Sequence, residues 1–146
     1  MNRGYSAIGL VNPKTPANVG SVLRAAGCYD VSMVGITGRR MSQIRLGRCP
    51  TDTNKIYRTT PVMWWDEIII PHDCVPVAVD LLDDAQSLVE YKHPERAIYI
   101  FGPEDGTLGA KITNLCRDKV YVPTRFCMNL AATVNVVLYD RMAKQK

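Results

Sequence analysis

The sequence predicts an α/β domain: a mostly parallel sheet with helices on both faces. Three observations carry that prediction. Apolar runs of strand length alternate with helical patterns along the chain, the order that βαβ units produce. Three polar motifs each begin where an apolar run ends, at the place where loops of such sheets meet ligands. They are Asn12-Pro13-Lys14-Thr15-Pro16-Ala17-Asn18-Val19-Gly20-Ser21-Val22-Leu23-Arg24, Phe101-Gly102-Pro103-Glu104-Asp105-Gly106 and Val122-Pro123-Thr124-Arg125-Phe126-Cys127-Met128-Asn129-Leu130. The chain has 146 residues, 47% of them hydrophobic and 22% charged, enough for one core and too few for two ordinary domains. No linker, repeat or low-complexity tract divides it, so 1–146 is read as a single domain.

The elements follow in the order strand, helix, strand, irregular basic segment, helix, strand, short helix, strand, helix, strand, long helix. Strands are expected at Tyr5 to Val11, Val31 to Ile36, Val75 to Asp80, Ala97 to Phe101 and Val120 to Val122. In the first helix Thr15 is the expected N-cap and Pro16 occupies the first turn, where its missing N–H costs nothing. Val19, Val22, Leu23 and Ala26 form its core face at helical spacing. Gly20, Arg24 and Gly27 form a second stripe. Interior glycines cost a helix about 1 kcal/mol each, so a partner backbone or a substrate is expected to approach there. Met63, Trp64, Trp65, Ile68, Ile69 and Ile70 read as ordinary core. The final helix, Asn129 to Met142, is apolar around most of its circumference, which points to burial on all sides and a subunit interface.

Composition narrows the chemistry. Cys28, Cys49, Cys74, Cys116 and Cys127 are scattered without a C-x-x-C pair, and His72 and His93 lie far apart, so neither a disulfide framework nor a metal site is expected. No run reaches the length of a membrane span. Met1-Asn2-Arg3-Gly4 runs into the first strand without the pattern of a signal peptide, and cytoplasmic residence is the expectation. The net charge is +4, and a third of the 18 basic residues fall between Arg39 and Arg58: Arg39, Arg40, Arg45, Arg48, Lys55 and Arg58 against the single acid Asp52. An arginine-rich run interspersed with Ser42, Gln43, Thr51, Thr53, Asn54 and Tyr57 suits a polyanion, with RNA or DNA first in line.

The spacing N-x-G-x-x-x-R at Asn18, Gly20 and Arg24, the F-G-x-E segment at Phe101 to Glu104 and the V-P…M-N-L segment at Val122 to Leu130 together resemble the SPOUT methyltransferases, within them the SpoU (TrmH-like) branch of RNA ribose 2'-O-methyltransferases. The resemblance spans nearly the whole chain, and the small size is similar to that of single-domain members. It implies a deep trefoil knot in the C-terminal part and S-adenosylmethionine held by the knotted loops. Carried over residue by residue, the cofactor pocket would comprise Leu81, Gly102, Val122, Cys127, Met128 and Leu130. Arg24 would be the essential arginine near the transferred methyl, and Asn18, Glu104 and Asn129 the further polar positions of the catalytic set.

The resemblance further implies a homodimer that builds its RNA site across the interface. Arg24, Arg39, Arg40, Arg45, Arg48, Lys55 and Arg58 would then be the RNA-contacting cations, with tRNA the expected substrate. Ribosomal RNA is the alternative, as is a catalytically silent RNA-binding dimer. Two departures stand out: Cys127 occupies the usual serine position, and the second motif lacks a glycine immediately before Leu108.

Overall fold

The computed structural model of the chain describes residues 4–41 and 46–145. In chain order they form β1 (Tyr5–Val11), α1 (Pro16–Cys28), β2 (Met33–Thr37), β3 (Val62–Trp65), β4 (Val75–Val79), β5 (Gln86–Ser87), β6 (Arg96–Phe101), α2 (Ala110–Thr113), β7 (Asp118–Tyr121) and α3 (Leu130–Lys144). The strands make one sheet in the order β3-β2-β1-β6-β4-β7-β5, with parallel pairing throughout. Because both faces of a parallel sheet are covered, its central strands read as continuous apolar runs. Ile8, Leu10, Tyr99 and Phe101 enter the larger core with α1 and α3, while Ala7, Ile98 and Ile100 enter a smaller core on the other face with Ile68, Leu108 and Cys116. Helices thus lie on both faces, but unequally: the two long ones share one face, and the four-residue α2 packs Ile112 against the other.

Three sequence expectations are corrected here. The helix expected between the basic segment and the strand at Val75 is instead the edge strand β3, which pairs with β2. Valine and two tryptophans in four residues suit a pleated, half-buried surface, and that local preference meets an open sheet edge. The six apolar residues read as core there mostly are not. Ile68 is buried at 9% exposure and Trp65 half-buried, with Met63, Trp64, Ile69 and Ile70 exposed. The short helix expected before β6 is a two-residue strand followed by a single 3-10 turn, Leu88–Glu90.

The Gly20–Gly27 stripe also has a different cause from the one expected. A Cβ at Gly20 would run into Thr51, the Asp52 backbone and Cys49, and one at Gly27 into Ile56. The chain's own segment Cys49–Ile56 covers the stripe, held there by Thr51 Oγ1 donating to the Ala17 carbonyl. Nor is α3 buried on all sides: Leu130, Ala131, Val134, Val137, Leu138 and Arg141 face inward, while Val136, Tyr139 and Met142 are 38%, 58% and 52% exposed.

Strand β7 lies between β4 and β5. Val79 and Gln86 both stand level with Val120, so the 80–85 loop crosses β7 at that height. Asp80 N–H donates to the Val120 carbonyl at 3.0 Å at the crossing. This is the loop through which the knot implied by the resemblance would pass.

Candidate functional site

The adjacent strands β6, β4 and β7 end side by side, and the loops that follow them, 80–85, 102–109 and 122–129, enclose a cleft of about 280 Å³. Leu81, Gly102, Val122, Cys127, Met128 and Leu130, the six expected cofactor positions, all line it. Phe101 and Val79 close its floor, and Val122, Met128 and Leu130 give it an apolar wall. At Gly102 a Cβ would stand 3.2 Å from Leu108 N and 3.3 Å from the Thr107 carbonyl carbon. The close approach at this glycine is made by the chain's own loop.

The cleft also uses residues that sequence reasoning missed. Asp80 accepts from Leu81 N–H at 2.8 Å through Oδ1 and from Leu108 N–H at 3.2 Å through Oδ2, tying the 80–85 loop to the second motif. A carboxylate closing an apolar strand is the signal that could have found it. Tyr121, Thr124, Arg125, Phe126 and Thr133 line the cleft as well.

At the cleft's rim the three motifs are joined by hydrogen bonds between side chains more than eighty residues apart. Asn129 Nδ2 donates to Asn18 Oδ1 at 3.0 Å, and Asn18 Nδ2 donates to Glu104 Oε2 at 3.0 Å. Glu104 also accepts from Lys14 N–H at 3.0 Å, Thr15 N–H at 3.1 Å and Thr15 Oγ1 at 3.3 Å. Burial pushes its carboxyl up, but the bonds from Asn18 and the backbone outweigh that and leave it below the ordinary carboxylate value. The group is therefore ionised at neutral pH and poorly suited to take up a proton. Asn129 Oδ1 caps α3 by accepting from Ala131 and Ala132 N–H at 2.9 and 3.2 Å. Thr15 caps α1 by accepting from Asn18 N–H at 3.3 Å.

Arg24 is not brought to this network. It is exposed, does not line the cleft, and sits on α1 between Gly20 and Gly27, alongside the covering segment Cys49–Ile56. That segment carries Lys55 and leads into the 3-10 turn Ile56–Arg58; Arg48, Lys55 and Arg58 are exposed. Asp52, the one acid of the basic run, is buried and caps this turn by accepting from Ile56 and Tyr57 N–H at 2.9 and 3.3 Å. Arg39 is exposed, and Arg45 lies outside the described residues. Arg40, expected on the RNA surface, is engaged within the chain. Its guanidinium pairs two-pronged with Asp105, Nη1 to Oδ2 at 2.8 Å and Nη2 to Oδ1 at 3.0 Å, and also donates to the Asn12 carbonyl at 2.6 Å. A phosphate would have to compete with both partners. Among the described residues no group of three or more His, Cys, Asp or Glu is arranged to hold a metal, and no helix is long and apolar enough to cross a membrane.

A parallel sheet with a cleft at the carboxyl ends of its strands, rimmed by polar side chains from three separate loops, defines an α/β domain with a candidate ligand site at that end. The chain belongs to the SpoU rRNA Methylase family, whose model matches residues 6–139. Similar structures include the SpoU methyltransferase AviRb from Streptomyces viridochromogenes, 16% identical with a TM-score of 0.82 over 97% of this chain and 60% of that one. An AdoMet-bound rRNA methyltransferase from Sinorhizobium meliloti is 15% identical, with a TM-score of 0.82 over 99% and 58%. A structure described for the 2-OH methylation of C/U34 on tRNA is 21% identical, with a TM-score of 0.76 over 97% of both chains. This chain spans about three fifths of the first two, and at these identities the likeness is one of fold. No curated protein sequence matches significantly.

Proposed function

We propose that the chain is an S-adenosylmethionine-dependent RNA ribose 2'-O-methyltransferase that acts on tRNA as a homodimer. The observation that carries the reading is the Asn129–Asn18–Glu104 chain, which locks three motif loops around one cleft. The cleft's volume lies near the lower end of the roughly 300–1,000 Å³ usual for small-molecule sites. Its donor set suits the cofactor: Val122, Met128 and Leu130 offer an apolar wall for an adenine ring, and the loops at Gly102 and Val122 bring backbone groups beside it. When bound, S-adenosylmethionine supplies an electrophilic methyl group.

In this reading Glu104 remains ionised and holds the first motif loop against the second, while Asn18 and Asn129 keep the third in register. Arg24, which stands outside this chain's own cleft, binds an RNA phosphate and orients the ribose hydroxyl from across the dimer, a positioning role that suits a planar guanidinium. Arg48, Lys55 and Arg58 neutralise further phosphates.

The dimer is supported by the exposed stripe Val136, Tyr139 and Met142 on α3, an apolar row that a second copy would cover. The tRNA substrate is supported by the matching length of the structure described for tRNA 2-OH methylation. The knot is supported by the crossing of β7 by the 80–85 loop.

Tritiated methyl transfer to total tRNA and to ribosomal RNA, followed by nucleoside mapping, tests the reading. Label in a 2'-O-methylated nucleoside of tRNA is expected, and label confined to ribosomal RNA would move the substrate there. Arg24→Ala is expected to abolish transfer with cofactor binding intact; retained activity removes Arg24 from the mechanism. A second reading, an RNA-binding dimer without catalysis, is favoured by Cys127, which stands exposed in the cleft at the position where the family resemblance implies serine. Calorimetry with S-adenosylmethionine separates the two, since absence of binding would sink the enzyme.

A further inference from the structure

The chain has two phenylalanines, and both line the cleft. Phe101 is 2% exposed and forms part of the floor, whereas Phe126 is 75% exposed at the mouth. Neither the core nor an adenine ring requires Phe126, because Val122, Met128 and Leu130 already provide apolar wall. Its backbone is nonetheless held. Pro123 restricts the loop's entry, Thr124 N–H donates to the Val122 carbonyl at 2.9 Å, and Thr124 Oγ1 donates to the Phe126 carbonyl at 2.7 Å. The Arg125 guanidinium lies 5.3 Å from the centre of the Phe126 ring, within the range of a cation–π contact. An exposed aromatic ring with a guanidinium over it offers the two contacts that an unstacked nucleotide takes. A base would stack on the ring while its phosphate meets the guanidinium.

We propose that Phe126 and Arg125 form a stacking subsite for a nucleobase of the RNA substrate, splayed from its own strand at the mouth of the cleft. The proposal rests on the RNA methyltransferase reading above and adds to it a platform for a base that has left its own stack.

The experiment compares Phe126→Ala, Phe126→Leu and Phe126→Trp in the full chain by KM and kcat for methyl transfer to total tRNA, by calorimetry with S-adenosylmethionine and by light scattering. Loss of one base-stacking contact should raise the KM for tRNA roughly five- to a hundredfold in the Ala and Leu variants. The Trp variant should stay near wild type, and all three should bind cofactor and assemble as wild type does. Weakened cofactor binding in Phe126→Ala overturns the proposal by giving the ring to the adenine. Loss of the dimer overturns it by giving the ring to the partner copy. A Leu variant as good as Trp overturns it by reducing the ring to apolar bulk. An unchanged KM in an active enzyme overturns the subsite alone, whereas wild-type protein that neither methylates nor binds RNA overturns the reading beneath it as well.

Discussion

Glu104 is held by donors crowded into one stretch of chain, 14–18, and that crowding decides what it can do. A carboxylate that accepts from Lys14 N–H, Thr15 N–H, Thr15 Oγ1 and Asn18 Nδ2 has little capacity left for a substrate proton. Glu104→Gln keeps the shape but turns an N–H₂ toward those donors. We expect a loss of about 1–3 kcal/mol, seen as a lower melting temperature. Because the folded-state pKa is depressed, Glu104's contribution is complete above its ordinary value of 4.5 and fades as pH falls through the lowered value. The wild-type advantage over the glutamine variant should therefore shrink in that acid range, and urea melts against pH check it. Cys127→Ser should leave cofactor affinity unchanged by calorimetry, since the exposed thiol makes none of the hydrogen bonds that hold its loop. Leu81, Gly102 and Met128 were legible as cleft residues through the family resemblance that the motifs carry. Asp80 and Phe126 were not, because one reads as the last residue of a strand and the other as an ordinary apolar side chain until its exposure is known.

Helix α3 is fastened at both ends by polar groups. At its start, Asn129 caps the first turn and holds Asn18 in the same gesture. Asn129→Ala should cost roughly 1 kcal/mol from the lost cap, read by thermal melting, with methyl transfer falling further than stability because the link to Asn18 goes too. Toward its end, Arg141 Nη1 donates to Tyr99 OH at 2.9 Å, Tyr99 OH lies 2.7 Å from His93 Nδ1, and His93 Nε2 lies 2.6 Å from Asp140 Oδ2, which also pairs with Lys144 at 2.9 Å. With Tyr99 accepting from Arg141, its own proton points to Nδ1, and a neutral His93 donates from Nε2 to Asp140. Burial lowers the His93 pKa more than Asp140 raises it. The unfolded chain thus takes up a proton first, and stability is full above the ordinary value of 6.5 and declines as pH falls below it. Chemical denaturation across that range should reveal the slope in wild type and its loss in His93→Gln. In α1, Gly20→Ala would force Thr51 and the Asp52 backbone away from the helix. A cost of about 1–3 kcal/mol is expected in a urea melt. The Thr15 cap was read from sequence, since it is a local pattern, whereas the Asn129 cap emerged only in the structure. The identity of β3 was not, because a four-residue apolar stretch becomes a strand only when a sheet edge is there to receive it.

For the whole molecule, the two long helices share one face of the sheet and leave the stripe Val136, Tyr139 and Met142 outward. Charging it with Val136→Glu and Tyr139→Glu should yield a folded monomer by light scattering, whereas an unchanged mass would place the interface elsewhere. The sequence by itself determined the α/β class, five strands and both long helices to within a few residues and the Thr15 cap, and the family resemblance of its motifs pointed to six of the residues that line the cleft. Periodicity, capping chemistry and motif spacing are all properties of neighbouring residues. Only the tertiary structure decided what covers Gly20 and Gly27, that Arg40 binds Asp105, that Arg24 stands with the basic segment and outside the cleft, and that β7 runs between β4 and β5. Each of these joins residues more than twenty apart, and such pairings depend on which surfaces remain open once the core has formed, a quantity that no local pattern records.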